Sequence, residues 1–464
     1  MGKLNIFVVS FSNLQGVYYA GQVVQGHVTV ELTDTMKMRG IRLRFEGKAY
    51  VHWTERHTTG SGDNRRTETR HYSAREQYFN QDILLAGRWK QQSGEDIHLP
   101  AGRHTFPFAF QLPPQLPSSF EGQHGHVRYT AKGIIDKPWK FDHETKRPFT
   151  VICLLDLNRD PNAMIPAQGA NSKTLCCWCC ASGPISANFS IDRQGYVPGE
   201  AIILKAEIDN QSNRRIKSSS VKMTMVTMFH ATSKTRTSSR VIAKLKHGEI
   251  EEGGHDYWNG DQLVIPPLPP SFLAGCNIID IRYNVQFEVT PSGPSFDLDI
   301  PLPVIIGTIP LQSVLAQHPP MAPPVGAPMI MPNPAGAGGA YPPPGAGAPQ
   351  PGAYPPPGAG AYPHPGAGAY PPTGAGAAQP GAYPPPTGAY PPGESLPPGA
   401  PPAYPPGMPT DLPNLPPPSY GECVFGKVDI KEEGENEHLQ GDNRYAPVYT
   451  YYDWGHKPSA PPTE

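Results

Sequence analysis

The stretch Ile41-Arg42-Leu43-Arg44-Phe45-Glu46-Gly47-Lys48-Ala49-Tyr50-Val51-His52-Trp53 decides the fold class. Ile41, Leu43, Phe45, Gly47, Ala49, Val51 and Trp53 take alternate positions, and Arg42, Arg44, Glu46, Lys48 and His52 fill most of the gaps. A period of two gives an extended chain one apolar and one polar face, the pattern of a half-buried antiparallel strand or strand pair. Val24, Val28, Val30 and Leu32 alternate with Gln25, His27, Thr29 and Glu31 in the same way. Residues 1–310 show no convincing helical period of useful length. The reading is all-β, with sheets packed face to face.

An internal repeat divides this region. Tyr18-Tyr19-Ala20-Gly21-Gln22 recurs as Tyr196-Val197-Pro198-Gly199-Glu200, and the strands after each stay in phase: Val24, Val28 and Val30 correspond to Ile202, Ala206 and Ile208. Near the end of each half, Leu112-Pro113-Pro114, Phe120 and Val127-Arg128-Tyr129 resemble Ile265-Pro266-Pro267, Phe272 and Ile281-Arg282-Tyr283. Order and phase agree at both ends of the unit, so each half reads as one β-sandwich entered by a glycine turn and closed by a tyrosine-bearing strand. The expected organisation is a first sandwich over 1–157, a linker over 158–184, a second sandwich over 185–310 and a tail over 311–464.

The chain has 464 residues, with 60 prolines and 48 glycines concentrated after Pro319. Average proline usage is about 5%, so about 310 residues of packed structure and about 150 of tail are expected. The tail repeats variants of Gly-Ala-Tyr-Pro-Pro-Pro, and large aliphatic residues nearly vanish between Pro334 and Gly393. Such a composition buries too little to offset chain entropy, and the expectation for 311–464 is disorder. Tyr445 to Trp454 is aromatic and reads as a local contact strip.

The formal net charge of −2 supplies no bulk attraction to nucleic acid or anionic lipid. No run of 18 apolar residues occurs, and the N-terminus lacks a basic region leading into an apolar core and a cleavage site. The expectation is a cytoplasmic protein recruited to the plasma membrane and endosomes through peripheral contacts. Seven cysteines make an odd count, and Cys176, Cys177, Cys179 and Cys180 crowd around Trp178, which does not build a disulfide framework. The expected role is a set of reduced thiols packed at the inter-domain junction, with palmitoylation as the alternative. Structural zinc would need a second ligand pair. The polar insertion Thr54 to Arg75, with Arg65, Arg66, Arg70 and Arg75, reads as a long, solvated hairpin loop; lipid headgroups or acidic cargo tails are the other partners such charges could meet.

Catalytic signatures are missing: there is no phosphate-cradling glycine loop, no Gly-x-Ser-x-Gly elbow and no His-Glu-x-x-His, and the histidines lack ligand spacing. No enzyme, cofactor or metal site is expected. The tail carries recognition peptides instead. Pro417-Pro418-Ser419-Tyr420 has the Pro-Pro-x-Tyr form that WW domains bind, and Pro401-Pro402-Ala403-Tyr404 is a second instance. Prolines pre-set a polyproline II helix, so docking orders little that was free, and the tyrosine ring fills an adjacent pocket. Pro458-Ser459-Ala460-Pro461 has the form bound by the ubiquitin-E2-variant domain of the endosomal sorting machinery.

The tandem sandwiches, the Tyr196 to Glu200 turn, the Val127-Arg128-Tyr129 strand and the Cys176-Cys177-Trp178 segment together resemble the alpha-arrestins, the arrestin domain-containing proteins. The resemblance covers Lys3 to about Pro310 and resumes at Pro416 to Phe425. It implies an arrestin-like N-domain and C-domain, and adaptor work: the folded part engages a membrane receptor or transporter, and the tail recruits a HECT-type ubiquitin ligase through its WW domains. Pro417, Pro418 and Tyr420 then carry over as ligase-docking residues, with Pro401, Pro402 and Tyr404 as companions. Rival readings are a vesicle-budding scaffold working through Pro458 to Pro461, and a structural coat component.

Overall fold

The computed structural model describes residues 3–61, 65–139, 141–177, 180–317, 419–431 and 439–455. The first sandwich contains β1 (Leu4–Phe11), β2 (Val17–Tyr19), β3 (Val23–Leu32), β4 (Met36–Met38), β5 (Gly40–Thr59), β6 (Arg66–Gly87), β7 (Ile97–Leu99), β8 (Gly102–Gln111), β9 (Phe120–Gly122), β10 (Gly125–Asp136) and β11 (His143–Ile152). One sheet has the order β1-β3-β8, and it faces a larger one ordered β2-β11-β10-β5-β6, with β9 paired to β10. The second sandwich contains β12 (Ala167–Cys177), β13 (Cys180–Ile191), β14 (Gly195–Tyr196), β15 (Ala201–Asn210), β16 (Ile216–His230), β17 (Thr235–Lys246), β18 (His255–Val264), β19 (Ile279–Pro291) and β20 (Leu298–Ile306). Its sheets run β12-β13-β15-β18 and β14-β20-β19-β16-β17.

The alternation in Ile41 to Trp53 holds on its apolar side, where Ile41, Leu43, Phe45, Ala49, Val51 and Trp53 are all buried, while of Arg42, Arg44, Glu46, Lys48 and His52 only Lys48 is buried as well. Gly47 occupies an inward position because Tyr129 sits opposite it in the ladder. A Cβ on Gly47 would fall 2.6 Å from the Phe79 ring and 2.7 Å from the Tyr129 ring, so two aromatics fill the space a side chain would take. The repeat also holds at the level of single bonds. The Tyr129 hydroxyl donates to the Pro117 carbonyl at 2.7 Å, and the Tyr283 hydroxyl donates to the Pro269 carbonyl at 2.8 Å. Ser119 Oγ accepts from the Val151 amide, and Ser271 Oγ from the Ile306 amide, each at 2.9 Å. β2 runs parallel to β11 as β14 runs parallel to β20.

Three expectations need correction. The Thr54 to Arg75 insertion is not a long loop. β5 and β6 pair in continuous register from Lys48 opposite Gln77 to Thr59 opposite Arg66. Polar residues sustain this ladder because cross-strand neighbours pair: Trp53 stacks on Tyr72 with ring centroids 5.5 Å apart. This hairpin also meets the second sandwich, where Lys234 Nζ lies 2.6 Å from Glu55, Thr232 Oγ1 donates to the Ser73 carbonyl at 3.1 Å, and Asn277 Nδ2 donates to Glu76 at 2.9 Å.

The second correction concerns 158–184. Instead of a bare linker, most of it forms the β12–β13 hairpin, with Cys177 opposite Cys180. Lys173 Nζ donates to the Phe296 carbonyl at 2.6 Å in the loop after β19. That places the hairpin tip at the end of the sandwich opposite Thr232, Lys234 and Asn277, so the backbone of Cys176, Cys177 and Cys180 is not at the inter-domain junction. The crossing is made earlier, where Leu157 and Ala163 bury themselves with Val197, Ile305 and Leu311. Cys179 lies outside the described residues.

The third correction concerns the tail. After a short helix, α1 (Gln312–Gln317), the described chain resumes as β21 (Ser419–Glu422), β22 (Val428–Asp429), β23 (Gln440–Gly441), β24 (Arg444–Tyr445) and β25 (Val448–Tyr451). This C-terminal part is folded onto the sandwiches. The expectation of disorder for 318–418 lies outside the described residues.

If the paired hydroxyl-to-carbonyl bonds hold each sandwich closed, Tyr129→Phe and Tyr283→Phe should each cost about 1–2 kcal/mol, because a buried proline carbonyl loses its partner. The check is the denaturant midpoint of each variant; midpoints equal to that of the unmodified protein would contradict the assignment.

Candidate functional site

The functional surface with the most defined geometry is the seat of the C-terminal strap, residues 419–455, on both sandwiches. On the first sandwich, β23 runs parallel to β11, with Gln440 beside Thr145 and Gly441 beside Lys146. Gly441 has φ +104, and any Cβ there would collide with the Lys146 carbonyl; only glycine permits both the backbone angle and the approach. The Ile430 carbonyl accepts from Lys146 Nζ at 3.3 Å and Arg128 Nη1 at 3.4 Å. Arg128 is itself held by Glu121 through two bonds of 2.8 Å, the fork geometry that guanidinium and carboxylate share.

Three strap tyrosines reach in from one short run. The Tyr445 and Thr150 hydroxyls hydrogen-bond at 2.9 Å, the Tyr449 hydroxyl donates to the Ser119 carbonyl at 2.9 Å, and the Tyr452 hydroxyl donates to the Thr308 carbonyl at 2.8 Å. All three rings are buried. Burial pushes the Tyr445 and Tyr449 phenols well above their usual range, so they remain neutral donors. Ser119 belongs to the first sandwich and Thr308 comes after β20 of the second, so the strap spans the junction.

On the second sandwich the strap sits on the glycine turn that the repeat singled out. The Tyr452 amide donates to the Pro198 carbonyl at 3.1 Å. Gly199 has φ +98, and its missing side chain leaves room for the Tyr452 backbone. The same turn is braced from below: Arg193 Nη1 pairs with buried Glu200 at 2.7 Å, and its guanidinium lies 4.1 Å from the centre of the Tyr196 ring. Farther along, Arg240 covers the Phe425 ring at 3.9 Å. Cys423 is buried, and burial pushes its thiol up to about 12, so it stays protonated.

The structure brings the backbone of two residues of the sequence-predicted ligase peptide, Ser419 and Tyr420, into this site. Tyr420 lies in β21, its backbone opposite Thr450 of β25. Pro417 and Pro418, the Pro401, Pro402 and Tyr404 companion, and Pro458 to Pro461 lie outside the described residues. Sequence reasoning marked Tyr445 to Trp454 as a contact strip but not its seat, its span or its pairing with Tyr420. The available signal was the tyrosine spacing beside Pro447, which alternates buried rings with strand pairing. One polar cluster could suggest catalysis: His247 stacks on Trp258 at 3.7 Å and contacts Asp256 at 3.1 Å. Ser219, however, donates to Asp256 and accepts from the Trp258 indole N–H, so its proton is directed at the carboxylate and not at the His247 imidazole, and the cluster lacks the serine–histidine pairing of an activated nucleophile.

The comparisons agree with this architecture. Residues 7–158 match the model of the arrestin (or S-antigen) N-terminal domain, and residues 181–311 match that of the arrestin C-terminal domain. Arrestin domain-containing protein 17 of Caenorhabditis elegans is 33% identical over 334 residues, which cover 68% of this chain and 74% of that protein. Arrestin domain-containing protein 4 of Homo sapiens is 34% identical over 298 residues, covering 64% and 69%. Thioredoxin-interacting protein of Homo sapiens is 29% identical over 307 residues, covering 66% and 75%.

The Gly199 turn is the most sensitive point of the strap's seat. Gly199→Ala should strain a left-handed backbone and drive the Tyr452 backbone off the turn, at a cost of about 1 kcal/mol or more. Limited proteolysis of the full chain should then cut within residues 423–455 while both sandwiches resist. A digestion pattern identical to that of the unmodified protein would contradict this seat.

Proposed function

This chain belongs to the arrestin domain-containing (alpha-arrestin) family, and from that premise we propose that it is a non-enzymatic adaptor linking membrane-protein cargo to HECT-type ubiquitin ligases. The tandem sandwiches engage a receptor or transporter. Pro417-Pro418-Ser419-Tyr420 and Pro401-Pro402-Ala403-Tyr404 recruit the WW domains of the ligase. Ubiquitin placed on the cargo then directs endocytosis and endosomal sorting, from a cytoplasmic pool recruited to the plasma membrane and endosomes. Bond chemistry belongs to the ligase, and this protein contributes proximity.

The observation that carries the reading is the adjoining of a Pro-Pro-x-Tyr peptide to an arrestin-type body: Ser419 and Tyr420 begin the strap, whose next residues lie on the sandwiches. Two docking peptides on one chain support it energetically. Once one WW domain is engaged, the second binds intramolecularly, at an effective concentration up to about millimolar and with avidity gains on the order of 10²–10⁴. The intervening proline-rich stretch keeps the two sites close.

The test is affinity capture from cells of the full chain against the Tyr404→Ala/Tyr420→Ala double variant. HECT ligases with WW domains should disappear from the double variant, while its membrane-protein partners remain and lose their ubiquitin. Ligases captured in equal amount from both proteins would remove the mechanism.

A further inference from the structure

We propose that the junction of the two sandwiches and the strap holds a binding site for a small amphipathic carboxylate, a medium-length acyl chain ending in one anionic head.

A cavity of about 440 Å³ opens where three parts of the chain meet. The first sandwich contributes Phe120 to its wall, the second Met225 and Phe229, and the strap Cys423, Phe425 and Val428. Phe120, Met225, Phe229 and Cys423 are buried, so the deep wall is apolar and sheltered from water. Void beside such a wall is unfavourable, because each lining atom forgoes the contacts a neighbour would give. Collapse could close the gap only if these side chains moved, and they are held from outside it. The His124 ring meets Phe229 edge-on with centroids 5.5 Å apart. Met225 Sδ lies 3.5 Å from the Tyr283 hydroxyl, and Arg240 covers the Phe425 ring at 3.9 Å. A preformed apolar cavity of this size at a domain interface suits an apolar guest.

The mouth defines the other end of that guest. Gln123, Ser239 and Arg240 are exposed there, and Ser238 Oγ donates to Gln123 Oε1 at 3.4 Å from one sandwich to the other. Among the described residues that line the cavity, two carry charge, Glu121 and Arg240. Glu121 is gripped by Arg128 through two bonds of 2.8 Å. The charge at the mouth is therefore the Arg240 guanidinium, whose planar fork matches a carboxylate. An acyl chain among the phenyl rings, with its carboxylate at Arg240, suits both ends of the cavity. A cationic head would meet like charge at the mouth, and a bare anion would leave the apolar wall unfilled. Because Cys423, Phe425 and Val428 form one side of the site, a bound chain ties the strap to both sandwiches and stabilises its seat.

The experiment is isothermal titration of the full chain with decanoate below its micelle concentration, beside decyltrimethylammonium (the same chain with a cationic head) and acetate (the head without the chain). Decanoate should bind at a single saturable site, and the other two should not. Arg240→Gln should weaken decanoate about fivefold, the range of an exposed ion pair. Ser238→Phe, which fills the cavity from its rim, should abolish binding. As a readout independent of variant folding, maleimide labelling of Cys423 in the unmodified chain, followed by peptide mass, should slow when decanoate is saturating. Failure of decanoate to bind, equal binding of the cationic amphiphile, undiminished affinity in either variant, or Cys423 labelling unchanged by decanoate would each overturn the site.

Discussion

The buried loop from Leu116 to Phe120 is the constraint on which the rest of the structure depends. Leu116, Ser118, Ser119 and Phe120 are buried, yet the residues from Pro117 to Ser119 belong to no strand. Irregular backbone away from water must find a partner for each polar group. Tyr129 satisfies the Pro117 carbonyl from within the first sandwich, and Tyr449 satisfies the Ser119 carbonyl from the strap. The Ser118 and Ser119 hydroxyls accept the Cys153 and Val151 amides at 2.9 Å. Gly275 of the second sandwich packs against Pro117. One short loop thus joins a sheet and the C-terminal strap through hydrogen bonds and touches the neighbouring domain, and neither the sheet nor the strap can move far without orphaning a buried carbonyl.

Much of the sandwich architecture is legible in the sequence, because a half-buried sheet writes its burial into a period of two. The repeat is legible for a related reason: the same turn, proline loop and tyrosine solve the same closing problem twice, and the Tyr129 and Tyr283 bonds show what that solution is. The features that escaped reading did so for equally physical causes. The end of the β5–β6 hairpin is polar on both faces, so its alternation carries no hydropathy signal, and its ladder rests on cross-strand pairs such as Trp53 on Tyr72. The β12–β13 hairpin is hidden by the cysteine cluster, whose composition draws attention to chemistry and away from backbone pairing. The strap is hidden by its distance in sequence: Tyr449 meets Ser119 across most of the chain, and no local pattern records a contact of that length.

For the candidate site, the sequence supplied the peptide and the structure supplied its context. Pro-Pro-x-Tyr is readable from residue types alone, since its recognition depends on a local helix and one ring. Its continuation into a strand is not readable, because the partner strand lies beyond an acidic stretch and owes its position to tyrosine hydroxyls bound to carbonyls on both sandwiches. The glycines at 199 and 441 show how closely the strap and body are matched: each removes a side chain where the two backbones approach, and each takes a positive φ that other residues resist. The arrestin-type body thus carries a strap in which Ser419 and Tyr420, the last two residues of the Pro-Pro-x-Tyr peptide, are strand-paired.

The most direct test is amide hydrogen exchange on the full, unmodified chain across residues 444–452. The strap as described places these amides in strand pairing and against buried tyrosines, and predicts protection comparable to that of β11, on which part of it rests. Exchange over 444–452 at the rate of an unstructured peptide, with β11 fully protected, would contradict the docked strap and everything inferred from it.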